Sequence, residues 1–108
     1  MKYNVLSIPV FDRQFKRLVK KLPSLKKELR ELSDSLEQNP VQGISIGRNC
    51  YKIRLAVASK GKGKSGGARV ITNIVIAEHN VYLLSIYDKS EKANLNVNEL
   101  KELLKNIP

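Results

Sequence analysis

Seven basic side chains and no carboxylate lie between Gln38 and Ala77: Arg48, Lys52, Arg54, Lys60, Lys62, Lys64 and Arg69. Their spacing suggests phosphate chemistry. Lys52 and Arg54 are two residues apart in the alternating run Tyr51–Ala58, so they share one face of a strand. Arg69 opens a second, β-branched run, where Arg54 is its candidate cross-strand neighbour. Two like charges that close call for an anion between them. Guanidinium forks match phosphate oxygens and can stabilise a pentacovalent transition state.

The segment joining the two runs, Ser59 to Gly67, holds Lys60, Lys62 and Lys64 among four glycines. It is not a nucleotide-binding P-loop, because the GxxxxGK[ST] spacing is unmatched and a strand follows instead of a helix. One reading is a mobile hairpin tip kept soluble by its lysines. The other is a cationic loop that closes on a phosphate chain, and the neighbouring Lys52, Arg54 and Arg69 favour it. Tyr87 and Lys89 sit at the end of the last strand run. Tyr87 is either a structural tyrosine at the sheet rim or, with Lys89, a group for proton transfer or base stacking. His79 is alone in a turn, and Cys50 reads as a small buried hydrophobe. With no acidic cluster in the basic window, neither metal nor cofactor is expected.

The whole chain is consistent with a polyanionic partner. Its 108 residues carry a net charge of +10 with a pI near 9.9, and 42% are hydrophobic, enough for a single folded domain. The charge is uneven: residues 1–37 carry +4, residues 38–77 carry +7 and residues 78–108 carry −1. The excess therefore belongs to the middle of the domain. One cysteine allows no internal disulfide, which fits a reduced, cytoplasmic setting. MKYNVLSIPV is too short and interrupted for a secretion signal, and no apolar run approaches a membrane span.

Hydrophobic periodicity supplies the elements that hold these groups. Tyr3–Ile8 alternates as a short edge strand stopped by Pro9. Phe11, Phe15, Leu18, Val19 and Leu22 form one helical stripe, and Leu25, Leu29, Leu32 and Leu36 form another after Pro23. Together they predict a helical hairpin. The first helix's outer cations, Arg13, Lys16, Arg17, Lys20 and Lys21, read as a solvated face before any partner contact. Val41–Asn49, with Gly43 and Gly47, reads as a loop. Tyr51–Ala58, Ala68–Ala77 and Val81–Tyr87 form an antiparallel meander. Asn96 and Glu99 have capping-box spacing ahead of the stripe Leu100, Leu103, Leu104 and Ile107. The order is β-α-α-β-β-β-α, an α+β fold with a four-stranded, mostly antiparallel sheet.

The runs KIRLAVASKGKGKSGGARVI and VYLLSIYDKSEKANLNVNELKELL resemble the RelE/HigB family of toxins from bacterial type II toxin-antitoxin systems, its HigB-like branch above all. The resemblance spans nearly the whole chain. It implies a RelE-like fold related to microbial ribonucleases and an mRNA interferase that inhibits translation by cutting mRNA in the ribosomal A site. The ribose 2′-hydroxyl would attack the adjacent phosphate without a metal. On this resemblance Arg69, Arg54, Lys52 and Tyr87 carry the chemistry, while Lys60, Lys62, Lys64, Arg48 and Lys89 hold RNA. Thr72-Asn73 departs from the aromatic residues of many relatives. No histidine lies in the basic cluster, so a lysine or the ribosome must supply the base, and free RNA should be a poor substrate. Expected partners are a cognate antitoxin, the ribosome and mRNA. Two other readings are a ParE-like toxin that binds DNA gyrase and a non-catalytic RNA-binding module.

Overall fold

The structure, a computed structural model, describes residues 2–61 and 63–108. The chain opens with strand β1 (Asn4–Ser7), then helices α1 (Pro9–Lys21) and α2 (Leu25–Gln38). Pro9 both ends β1 and occupies the first turn of α1, where its missing N–H costs no hydrogen bond. Pro23 lies in the corner before α2. Phe11 and Leu18 of α1, and Leu25, Leu29, Leu32 and Leu36 of α2, are buried, as their spacing predicts. Each buried leucine contributes about 1.5–3 kcal/mol of transfer free energy.

The remaining elements are β2 (Ile44–Gly47), β3 (Cys50–Leu55), β4 (Ala68–Val75), β5 (Asn80–Asp88) and helix α3 (Val97–Leu104). They form an α+β fold around one five-stranded sheet ordered β1-β5-β4-β3-β2. The sheet has one strand more than the four expected from the sequence, because β2 lies inside Val41–Asn49, which reads as a loop. A four-residue strand with glycine at its end and another just before it has little intrinsic signal. Its pairing, Ile44 with Lys52 and Ser45 with Tyr51, is a tertiary effect. Gly43 is required there: φ is +86°, and a Cβ would overlap the Lys52 carbonyl. Arg48 and Asn49 complete the β2–β3 turn, both with positive φ, and the Asn73 amide holds their carbonyls at 3.0 and 3.4 Å.

β3, β4 and β5 form the antiparallel meander, while β1 joins β5 in parallel, Asn4 to Asn80 through Ser7 to Leu83. Strand alternation gives the sheet two faces. Ile53, Val70 and Ile86 share the face under the helical hairpin. Lys52 and Ile71 turn the other way, lining a small space with Leu100 of α3. The Asn96/Glu99 capping box forms as its spacing implies: the Glu99 amide donates to Asn96 Oδ1 at 2.8 Å, and the Asn96 amide donates to Glu99 Oε1 at 3.1 Å.

Candidate nucleic-acid interface

Register places the key side chains in rows. Arg54 on β3 is opposite Arg69 on β4, and Arg69 is opposite Tyr87 on β5. Lys52 lies one row away, opposite Ile71. Direct partners in an antiparallel sheet project to the same face, so these four side chains lie on one side of the sheet. β2 leaves β3 beyond Lys52, and the freed edge borders an open groove of about 770 Å³. Lys52, Arg54 and Lys64 line one part of it, and Glu28 and Glu31 of α2 line another.

The row is not uniform. Arg54 is exposed and Lys52 half-buried, and among the described residues neither has an ion-pair partner. Arg69 is only 5% exposed. Its Nη1 donates to the Lys64 carbonyl at 2.9 Å and the Ala68 carbonyl at 3.2 Å, and its Nη2 to the Ser65 carbonyl at 3.2 Å. The guanidinium thus braces the far leg of the basic loop from its place in the row.

Tyr87 is equally buried, and among the described residues its hydroxyl makes no well-formed hydrogen bond, with the Leu95 backbone the polar group near it. Burial raises the phenol pKa, opposed by the nearby Arg69 charge, so the group is a neutral donor at neutral pH. An unpartnered buried hydroxyl costs about 1–3 kcal/mol. Tyr87→Phe is therefore expected to leave thermal stability unchanged or raised, by up to about 1–3 kcal/mol. If the phenol serves the chemistry, the same variant loses about 10²–10⁴-fold in turnover. Melting curves and a cleavage assay on one preparation separate the two effects.

The other nominated residues are dispersed. Arg48 is exposed at the β2–β3 turn, at the opposite end of β3 from the row. Lys64 is exposed at the groove. Lys89 Nζ is tied to the Ala93 carbonyl at 3.0 Å. Lys62 lies outside the described residues. Lys60 is turned away from the row, its ammonium bonded to Asp88 Oδ1.

Asp88 is a residue that the sequence did not nominate. Its side chain is fully buried, and Lys60, Lys21 (3.0 Å), the Ser90 amide (2.9 Å) and the Ser90 hydroxyl (2.7 Å) all donate to it. Burial alone would push its pKa up, but these bonds outweigh that and hold it far below the usual carboxylate range. The available signal was an acid ending the otherwise apolar run VYLLSIYD, in a chain whose middle carries seven cations and no carboxylate. Cys50 is buried as expected, and burial pushes its thiol pKa up.

Residues 10–107 match the family model described as the RelE toxin of the RelE/RelB toxin-antitoxin system. The chain belongs to the RelE toxin family. It is therefore a toxin of a toxin-antitoxin pair, and an antitoxin is its partner. The solved structure of Escherichia coli toxin RelE in the free state, a variant with two arginines replaced by alanine, is similar in fold. Its TM-score is 0.65 at 15% identity, with 100% of each chain covered. Among the described residues, no helix is long and apolar enough to cross a membrane.

Proposed function

We propose that this toxin is a ribosome-dependent mRNA endoribonuclease that acts in the cytoplasm. The observation that supports the reading is the register of Arg54, Arg69 and Tyr87 in one row with Lys52 beside it, of which Lys52 and Arg54 line an open groove. In this mechanism Lys52 and Arg54 hold the non-bridging oxygens of the scissile phosphate. Arg69 stabilises the charge that grows on them as the 2′-hydroxyl attacks. Tyr87 donates a hydrogen bond, or a proton, toward the leaving oxygen.

The same row explains a dependence on the ribosome. Among the described residues it contains no histidine, and the buried carboxylate next to it, Asp88, is already bonded to two lysines. The protein contributes transition-state charge and a neutral donor, while the ribosome orients the RNA and completes proton removal. Membership of a toxin family whose model covers residues 10–107 supports the reading independently.

The test is induced expression of wild type and of Lys52→Ala/Arg54→Ala, with mapping of mRNA ends. Each lost charge-assisted contact is worth about 1.5–3 kcal/mol, so the double variant is expected to lose growth arrest and at least about a hundredfold in cleavage. Equal arrest by both proteins with no ribosome-dependent cuts would sink the proposal. Covalent gyrase–DNA adducts in place of cuts would assign the toxin a different target.

A further inference from the structure

Burying a lysine–carboxylate pair is an expensive way to hold two segments together, because an apolar pair of similar volume is usually at least as stable. A buried pair does, however, fix one relative position. Lys60 and Asp88 form such a pair, with side chains 10% and 0% exposed, between the first turn of the basic loop and the last residue of β5.

The surrounding contacts fasten the same turn to the corner between α1 and α2. The Ala58 amide donates to Glu28 Oε2 at 2.7 Å, the Ser59 amide donates to Ser24 Oγ at 2.9 Å, and the two serine hydroxyls meet at 2.7 Å. The far leg is held by Arg69 through the Lys64 and Ser65 carbonyls, and by the Lys89 amide on the Gly67 carbonyl at 3.0 Å. Both legs of a glycine-rich loop are thus fixed, and Lys64 is left exposed at the groove.

We infer that Lys60 and Asp88 are positioning residues: their buried pair clasps the near leg of the basic loop so that Lys64 is presented to a phosphate of the bound RNA. The inference rests on the proposed nuclease reading for its RNA, though not for the clasp itself. Lys60 then contributes to RNA binding without touching RNA, and its loss is felt through Lys64.

The test compares wild type, Lys60→Met, Lys60→Arg and Lys64→Gln, with Lys60→Met/Lys64→Gln, in cleavage of mRNA on programmed ribosomes. Lys60→Met/Asp88→Asn serves as the variant that leaves no buried charge unpaired. Lys60→Met is expected to raise KM about tenfold with kcat within about threefold, as for a lost phosphate contact, and Lys60→Arg to restore it. Lys64→Gln should cost about as much in the wild-type background and less than about twofold in the Lys60→Met background, the non-additivity of coupled sites. Losses that multiply would make Lys60 a separate contact and overturn the inference.

Hydrogen exchange provides a readout independent of activity. The amides of Ala58, Ser59, Lys60 and Gly61 are all hydrogen-bonded. They should exchange at least about tenfold faster in Lys60→Met and in Lys60→Met/Asp88→Asn, with β4 and β5 unchanged. Unchanged exchange refutes the clasp. If wild type cleaves no mRNA, the nuclease proposal fails, and exchange alone decides the clasp.

Discussion

Arg69→Ala is expected to lower ribosome-dependent cleavage by about 10²–10³-fold, the usual loss when one preorganised charge donor is removed from a transition state. Two functions converge on this side chain. Its charge lies in the row between Arg54 and Tyr87, and its fork holds the carbonyls of Lys64 and Ser65. The alanine variant therefore loses transition-state charge and loosens the loop together. Arg69→Lys separates the contributions. A lysine keeps the charge but lacks the planar fork that spans two carbonyls, and such exchanges are not conservative at bidentate sites. Its expected activity is close to that of alanine. Recovery to within about threefold of wild type would show that a point charge suffices and that the brace is unimportant. Circular dichroism melts must accompany the kinetics, because the freed Lys64 and Ser65 carbonyls belong to exposed residues, where water replaces the lost bonds at a cost of about 1–2 kcal/mol, while the Ala68 carbonyl is buried.

The helices and the meander were legible in the sequence because each announces itself locally. The leucines at 25, 29, 32 and 36 recur at helical spacing, and all four are buried. Asn96 and Glu99 have capping-box spacing just ahead of an apolar helical stripe, and both bonds of the box are present. β2 was not legible. Its four residues gain their stability from β3, and the sequence carries only an indirect mark of that contact in Gly43. The partner of β1 was also hidden, because a parallel pairing with β5 joins residues 76 apart.

Part of the candidate site was legible for the same local reason: alternation placed Lys52 and Arg54 on one face before any register was known. The opposition of Arg54 and Arg69 was readable as a candidate pairing and is realised in the sheet. The loop lysines show where pattern stops. Lys60 and Lys64 look alike in a glycine-rich run, yet one is bonded to a buried aspartate and the other is exposed. Only the tertiary fold brings Asp88 to Lys60 across 28 residues. Charge counting in a window cannot see a counter-ion supplied from outside it.

That counter-ion makes Asp88→Ala the substitution expected to cost the most stability, about 3–5 kcal/mol, as is usual when one member of a buried ion pair is removed. The variant strands Lys60, which is 10% exposed, and removes the acceptor of the Ser90 amide and hydroxyl. Domains of this size have only about 5–15 kcal/mol in total, so the unfolded population becomes measurable at moderate temperature. The pH dependence follows from the direction of the Asp88 shift. Its folded pKa lies below that of the unfolded chain, about 3.9, so between the two values the unfolded state binds more protons. Stability from Asp88 is therefore fully present above about pH 5 and is lost progressively as pH falls through that window. Urea melts between about pH 3 and pH 7 should show wild type weakening on the acid side more steeply than Asp88→Asn, which has no proton to gain there. Parallel curves for the two proteins would mean that other carboxylates carry the acid sensitivity. The exposed pairs of Glu91 with Arg17 and Lys21 and of Glu99 with Lys92 are alternative sources, and they contribute little because they face solvent.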